Sequence, residues 1–296
     1  MRPASGCKLF GAYQALGGIQ DGVVLLHSVV GCNFGSMSLH VAQDMRDIRQ
    51  TCTVISDSDV VFSGEASLER AVRSALELFQ PSVLFVVSGC VSEMIGDDIP
   101  AVLARIPHEA PLLHVEAAGF RGDAARGLEA GWLALLPLMK PPVPRPYPRP
   151  YPRSDPRPLV NLIGLGMDGP HAADDVEALR AMLAPQAALG AVLSRCTLEE
   201  VRRAPYADVN LVLRGKGREL AQAMKEYFGI PGEELDSPYG TAGADDLWSR
   251  LERRFGLDYH QARAELDRQI AEGAGKAYRY LQALYGMPAA ILASGP

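Results

Sequence analysis

Residues 82–99, SVLFVVSGCVSEMIGDDI, decide the reading of the fold. The run 82–88 is short and rich in β-branched and aromatic residues, the composition of a strand. Gly89 and Cys90 close it, at the place where a parallel α/β sheet presents its loops to a ligand. The pattern recurs on either side. Residues 22–30, GVVLLHSVV, read as a strand that runs into Gly31 and Cys32, and residues 111–115, PLLHV, read as another. Between them, residues 67–79, SLERAVRSALELF, place Leu68, Val72, Ala75, Leu76 and Phe79 on one helical face. Strands alternating with helices predict βαβ units and a mainly parallel sheet in a first domain over residues 1–140.

Residues 141–158, PPVPRPYPRPYPRSDPRP, break the alternation. Dense proline removes backbone donors and favours polyproline II, so a semi-rigid linker is expected in preference to a docking motif. A second α/β domain is predicted over residues 159–287. Its strands fall at 159–164, 190–194 and 208–213, and its helices at 174–183, 197–203 and 245–284, the last interrupted near Gly256. Thr197 with Glu200 three residues on forms a capping box. Residues 288–296, PAAILASGP, read as the start of a truncated third domain. The expected fold class is α/β: two Rossmann-like domains with mainly parallel sheets, joined by a proline-rich linker.

The chain has 296 residues, a net charge of −6 and a pI near 5.6. An acidic balance speaks against nucleic acid as a partner, because that footprint is a basic face. No apolar run approaches the roughly 18–20 residues of a membrane helix, and the N-terminus lacks the apolar core of a signal peptide. A cytoplasmic protein with no membrane partner is expected. Its five cysteines do not suggest a disulfide framework, which leaves metal binding or burial.

Cys7, Cys32 and Cys90 each follow a glycine: Gly6, Gly31 and Gly89. Thiolates are soft ligands suited to iron–sulfur clusters, and cysteines dispersed along a chain can converge on one cluster. Three of them imply a cluster shared with a partner or completed by another kind of ligand. Gly31 and Gly89 allow close backbone approach, so that amides reach cluster sulfurs. His27, just ahead of the second cysteine, can hydrogen-bond a cluster sulfide, with a satisfied buried histidine as the even alternative. The other five histidines show no ligand spacing. Asp97 and Asp98 are read as helix caps rather than as acid–base groups, while Glu93 is left open as a subunit contact. Gly164, Gly166 and Gly169 match the dinucleotide fingerprint, but residues 193–195, LSR, lack the carboxylate that it needs, so a tight turn is preferred. Cys52 and Cys196 are read as structural, although a helix start at Cys196 would lower its pKa.

Four segments, CKLFGAYQALGGIQD (7–21), LLHSVVGC (25–32), DVVFSGEASLERAV (59–72) and SGCVSEMIGDDI (88–99), together resemble the N-terminal domain of the nitrogenase component 1 superfamily, in its order and at similar spacing. That superfamily includes nitrogenase subunits, cofactor-assembly scaffolds, and reductases of tetrapyrroles and thioethers. The likeness continues beyond the linker through TLEEVRRAPYADVNLVL (197–213), FGIPGEELDSPYGTAGADDLWSRL (228–251) and AYRYLQALYGMPAAILASGP (277–296).

The resemblance implies that Cys7, Cys32 and Cys90 hold this subunit's share of an interfacial cluster, either P-cluster-like or a four-iron cluster. It implies an α-type nitrogenase-like subunit as partner, in a heterotetramer, and an ATP-dependent iron protein as electron donor. Where the catalytic α subunit supplies a cysteine to the large cofactor, this chain has Leu213, Arg214 and Gly215, which points to a β-type subunit. Gly119 falls where the nitrogenase β subunit can carry a ligating serine. The leading expectation is a reductase subunit that passes electrons to an α-type partner. The alternatives are a scaffold for metallocluster assembly and, from another class, a nicotinamide-linked enzyme using the glycine motif.

Overall fold

The alternation around residues 82–99 is realised in the computed structural model, which describes residues 6–43, 49–139, 156–165, 172–236, 238–285 and 288. Among the described residues, eight strands form two four-stranded, wholly parallel sheets. The first holds β1 (Gly22–His27), β2 (Gln50–Cys52), β3 (Val83–Ser88) and β4 (Leu112–Glu116) in the order β2-β1-β3-β4. The second holds β5 (Leu159–Ile163), β6 (Ala188–Val192), β7 (Val209–Leu213) and β8 (Gly232–Leu235) in the order β6-β5-β7-β8.

Helices cover the first sheet: α1 (Lys8–Gly17), α2 (Val30–Gln43), α3 (Asp57–Phe62), α4 (Glu65–Phe79), α5 (Cys90–Ile95), α6 (Ile99–Ala104) and α7 (Ala124–Leu133). The second carries α8 (Ala172–Leu183), α9 (Leu198–Arg203), α10 (Arg218–Phe228), α11 (Gly240–Phe255) and α12 (His260–Leu284). The architecture is α/β with Rossmann-like topology.

Alternation along the strands sorts the core. Val24, Leu26, Phe85 and Val87 face α1 and α7, while Val23, Leu25, Leu84 and Val86 face α4 and α6. In each sheet the chain turns back across its first strand, so the first sheet has its topological switch between β1 and β3. Ligands of open parallel sheets bind at such a switch, beyond the carboxyl ends of the strands. Cys32 follows β1 and Cys90 follows β3.

Helices α1 and α7 cross backbone to backbone. A β-carbon on Gly11 would lie 1.9 Å from the Ala124 carbonyl oxygen, and one on Gly127 would lie 1.9 Å from that of Lys8. Only hydrogen fits at these crossings. The contact brings the start of α1 against the start of α7: Ala124 N–H donates to the Gly6 carbonyl at 2.6 Å, and Cys7 bridges to Asp123.

The two halves share one apolar core, in which Leu16, Phe85 and Trp132 pack with Ile163, Leu193, Val212 and Leu220. Their backbones also join. Gln20 N–H donates to the Cys196 carbonyl and Cys196 N–H to that of Gly18. Carboxylates from the first half cap helices of the second: Asp21 accepts from Leu198 N–H at 2.8 Å, and Glu129 from Gly217 N–H at 2.5 Å.

Several sequence expectations shift. The strand expected at 190–194 runs from Ala188 to Val192, and the edge strands β2 and β8 carry no apolar run that would announce them. The long C-terminal helix does break at Gly256, which caps α11 in the left-handed conformation. The Thr197–Glu200 capping box is present. Gly166, Gly169, His171, residues 141–155 and all but Pro288 of the last nine residues lie outside the described residues.

Candidate metal centre

All three candidate cysteines sit at helix starts rather than in open loops. Cys7 is the N-cap of α1, Cys32 lies in the first turn of α2, and Cys90 is the first residue of α5. Each helix start offers amides without intrahelical partners. All three side chains are half-buried.

Cys7 and Cys90 are brought together at the turn after β4. A β-carbon built on Gly119 would lie 2.8 Å from Cys7 Sγ and 3.4 Å from Cys90 Sγ, so both sulfurs flank one point. Gly119 N–H donates to Cys90 Sγ at 3.1 Å. Cys32, on α2, is close enough to Cys52 to add to the upward push on that thiol. Among the described residues no three His, Cys, Asp or Glu side chains are grouped closely enough for a single metal ion. A multi-iron cluster holds its thiolates farther apart than one ion does, and soft sulfur donors with an amide aimed at one of them fit such a cluster.

The turn carrying Gly119 is anchored by Glu93. Its Oε1 accepts from Ala118 N–H and from Ser88 Oγ, both at 2.9 Å, while Oε2 pairs with Arg121 Nε at 2.6 Å. The Glu93 side chain is only 6% exposed, so the group considered for a subunit contact works inside the chain. His114, expected to be structural or solvated, extends the same network by bonding Ser88 Oγ at 3.0 Å. Burial lowers its pKa.

His27 is fully buried. Its Nδ1 meets Thr53 Oγ1 at 3.1 Å and its Nε2 donates to Asp97 Oδ2 at 2.9 Å, so both ring nitrogens have partners within the chain. Burial pulls its pKa down against the opposing pull of Asp97, which favours a neutral ring. The other Asp97 oxygen accepts from Gly64 N–H at 2.9 Å and from Ser63 Oγ at 3.0 Å, which ties the entry of α4 to the site. Asp97 is thus a strut rather than the cap of its own helix; Asp98 is the cap of α6.

Gly89 is required by packing, since a β-carbon there would meet Ser28 Oγ at 2.3 Å, whereas nothing lies within 4 Å at Gly31. Gly164 has a positive φ and abuts the backbone of Leu213 and Lys216, so the chain itself fills the space next to it. Cys196 is fully buried, and burial raises its pKa well above the ordinary thiol value, reversing the expected helix-start effect.

Large apolar side chains on α2, α3, α5 and the turn at Gly119 face solvent. Val30, Phe34 and Met37 line one face of α2, Val61 and Phe62 end α3, Met94 lies on α5, and Phe120 follows Gly119. Phe34 is 72% and Phe62 85% exposed. Exposed apolar side chains in such number are candidates for a protein contact.

The signal for Glu93, His114 and Gly119 was faint in the sequence, because each acts through groups distant along the chain. The comparisons with known proteins agree with the fold. The chain is 29% identical over 98% of its length to the nitrogenase iron-molybdenum cofactor biosynthesis protein NifE of Methanosarcina barkeri, spanning 64% of that relative. It is 30% identical to the Rhodobacter capsulatus protein of the same name, over 84% of this chain and 51% of the relative. A nitrogenase molybdenum-iron protein alpha chain of Methanothermococcus thermolithotrophicus is 28% identical over 40% of this chain. The solved structure of nitrogenase Cp1 at pH 6.5 superimposes on 95% of the chain with a TM-score of 0.75 at 18% identity, covering 64% of that structure. The chain therefore spans between about half and two thirds of the length of these longer matches. The profile of the family described as nitrogenase component 1 type oxidoreductase matches residues 7–296. The chain belongs to that family.

Proposed function

We propose that this chain is a subunit of a nitrogenase-like complex that carries and hands on a metallocluster during cofactor assembly. In this reading Cys7, Cys32 and Cys90 hold the chain's share of an iron–sulfur cluster, and a second subunit seats on the apolar rim to complete its ligands. One observation carries the assembly role. The relatives matched along 84% and 98% of this chain are cofactor biosynthesis proteins, whereas the alpha chain cited above matches along 40%. This reverses the order of the sequence reading, which put a β-type reductase subunit first.

Within the site, thiolates supply the soft donors, Gly119 N–H donates to the Cys90 sulfur, and the rim excludes water once covered. His27, Asp97 and Glu93 hold the loops rather than the metal. In this reading the chain orients and shields the bound cluster until it is handed on.

The reductase reading keeps one observation in its favour. The end of β7 offers Leu213, Arg214 and Gly215 where a catalytic subunit has its cofactor cysteine. In that case an ATP-dependent iron protein donates electrons to the shared cluster, and an α-type partner reduces the substrate.

The deciding experiment purifies the tagged chain, with whatever partner accompanies it, in the absence of oxygen. Iron per chain is measured for wild type and Cys90→Ala, then transfer of the bound cluster to a cofactor-free acceptor and ATP-dependent reduction with an iron protein. Iron lost in Cys90→Ala, with transfer and no turnover, supports assembly. Turnover without transfer supports the reductase subunit, and an iron-free complex overturns both.

A further inference from the structure

We propose that Cys32 and Cys52 form a dithiol–disulfide couple, a thiol-oxidation site that ties α2 to β2 and withholds Cys32 from iron. The consequence for iron rests on the iron–sulfur reading above; the bond itself does not.

The pairing follows from how α2 lies on the first sheet. The helix starts just beyond the carboxyl end of β1 and packs back along β2. Gln50 fixes the register, since its Nε2 donates to Asn33 Oδ1 and to Ser36 Oγ, each at 2.6 Å. Cys32 lies one helical turn before Ser36, about 6 Å nearer the carboxyl edge of the sheet. Cys52 lies two residues after Gln50 on the same face of β2, about 6.5 Å toward that edge. The two cysteines therefore come level. Their facing agrees as well. Gln50 and Cys52 pair with Val24 and Leu26, which point to the α1 side, and both thiols pack against that core.

The Cys52 sulfur also sits against the stretch that leads to Cys32. It lies 3.5 Å from the Ser28 carbonyl oxygen and accepts from Val54 N–H at 3.3 Å. Val54 takes a left-handed φ of 54° to present that amide, an uncommon conformation for a β-branched residue. The other thiols are placed elsewhere: Cys7 and Cys90 flank Gly119, and Cys196 is fully buried.

Oxidation needs an acceptor of two electrons, and a small disulfide such as oxidised glutathione serves. The Cys32 thiolate attacks one of its sulfurs, which forms a mixed disulfide and releases one glutathione thiolate. Cys52 then gives up its proton and attacks the Cys32 sulfur, closing the internal bond and releasing the second glutathione. Two protein thiols are oxidised, and one small disulfide is reduced to two thiols that take up the two protons. A thiol reductant reverses both steps. While the bond is closed, Cys32 cannot ligate iron and is kept from irreversible oxidation to the sulfinic acid.

The test uses the full chain, stripped of iron, reduced, and then exposed to oxidised glutathione without oxygen, as wild type and Cys52→Ser. Free thiols are counted, protease fragments are mapped by mass without reduction, and iron uptake is measured before and after a thiol reductant is added. Wild type is expected to lose two of its five thiols, with the fragments carrying Cys32 and Cys52 joined and lighter by two hydrogens. Iron uptake should return only with the reductant. Cys52→Ser should stop at the mixed disulfide, with glutathione on Cys32.

Glutathione on wild-type Cys32 beside a free Cys52 overturns the couple, as does a bond between Cys7 and Cys90 in its place; the wild-type map decides this without any variant. A Cys32–Cys52 bond with iron uptake unchanged by reductant overturns the withholding. A bond that forms in a chain taking up no iron even when reduced supports the couple and overturns the iron–sulfur reading.

Discussion

Buried titratable groups in the first sheet make the chain sensitive to acid. His27 and His114 both have pKa values lowered by burial. Between the lowered native values and the ordinary histidine value of 6.5, the unfolded chain binds more protons than the folded one. Stability should therefore be at its full value above the ordinary histidine range and fall as pH drops through it. Urea unfolding midpoints compared between about pH 7.5 and about pH 5.5 are expected to decrease on the acid side; equal midpoints would contradict the buried, neutral assignment. Asp97→Ala removes an acceptor used by His27, Ser63 and Gly64, with an expected loss of about 1–3 kcal/mol in the same assay at neutral pH, the scale of leaving buried donors unpaired. At this scale the three cysteines were legible from their glycine neighbours and from the resemblance. Glu93 was not, since an acidic residue one turn into a short helix looks the same whether it faces solvent or clamps a distant turn.

Among the elements, the α1–α7 pair does the most to place the site. Gly127→Ala puts a methyl group into the Lys8 carbonyl, so the helices must separate. Overpacking of this kind costs about 1–3 kcal/mol, and Cys7 moves with the start of α1. Thermal melting should show the loss, and iron content should fall with it; a neutral substitution would mean that the helices are not fixed by backbone contact. The helical periodicity of α4 was readable from Leu68, Val72 and Ala75, all buried as expected. Edge strands β2 and β8 were unreadable for a physical reason: QTC and GEEL are short and partly exposed, and they gain strand character by pairing with β1 and β7.

At the level of the whole molecule, the halves are joined by a common core and by caps that cross between them. Calorimetry is expected to give one cooperative transition, with Glu129→Ala lowering stability by about 1 kcal/mol, the usual worth of a helix cap. Two separated transitions would show that the shared core does not couple the halves. The apolar rim makes a different prediction. Phe34→Asp and Phe62→Asp alter side chains that face solvent, so the chain's own melting should hold while recovery of a co-purifying partner drops. Unchanged recovery would move the partner surface elsewhere.

The sequence by itself determined the fold class, the parallel order of helix and strand, the capping box at Thr197, the break at Gly256 and the cysteines worth testing. These follow from local composition and spacing, which act over a few residues. Only the tertiary structure decided that Cys7 meets Cys90 over Gly119, that Glu93 and Asp97 are struts, that Cys196 is a buried thiol, and that Phe34, Phe62 and Phe120 face solvent. Each of these depends on which helix face meets which strand end, a matter of packing between segments far apart in the chain.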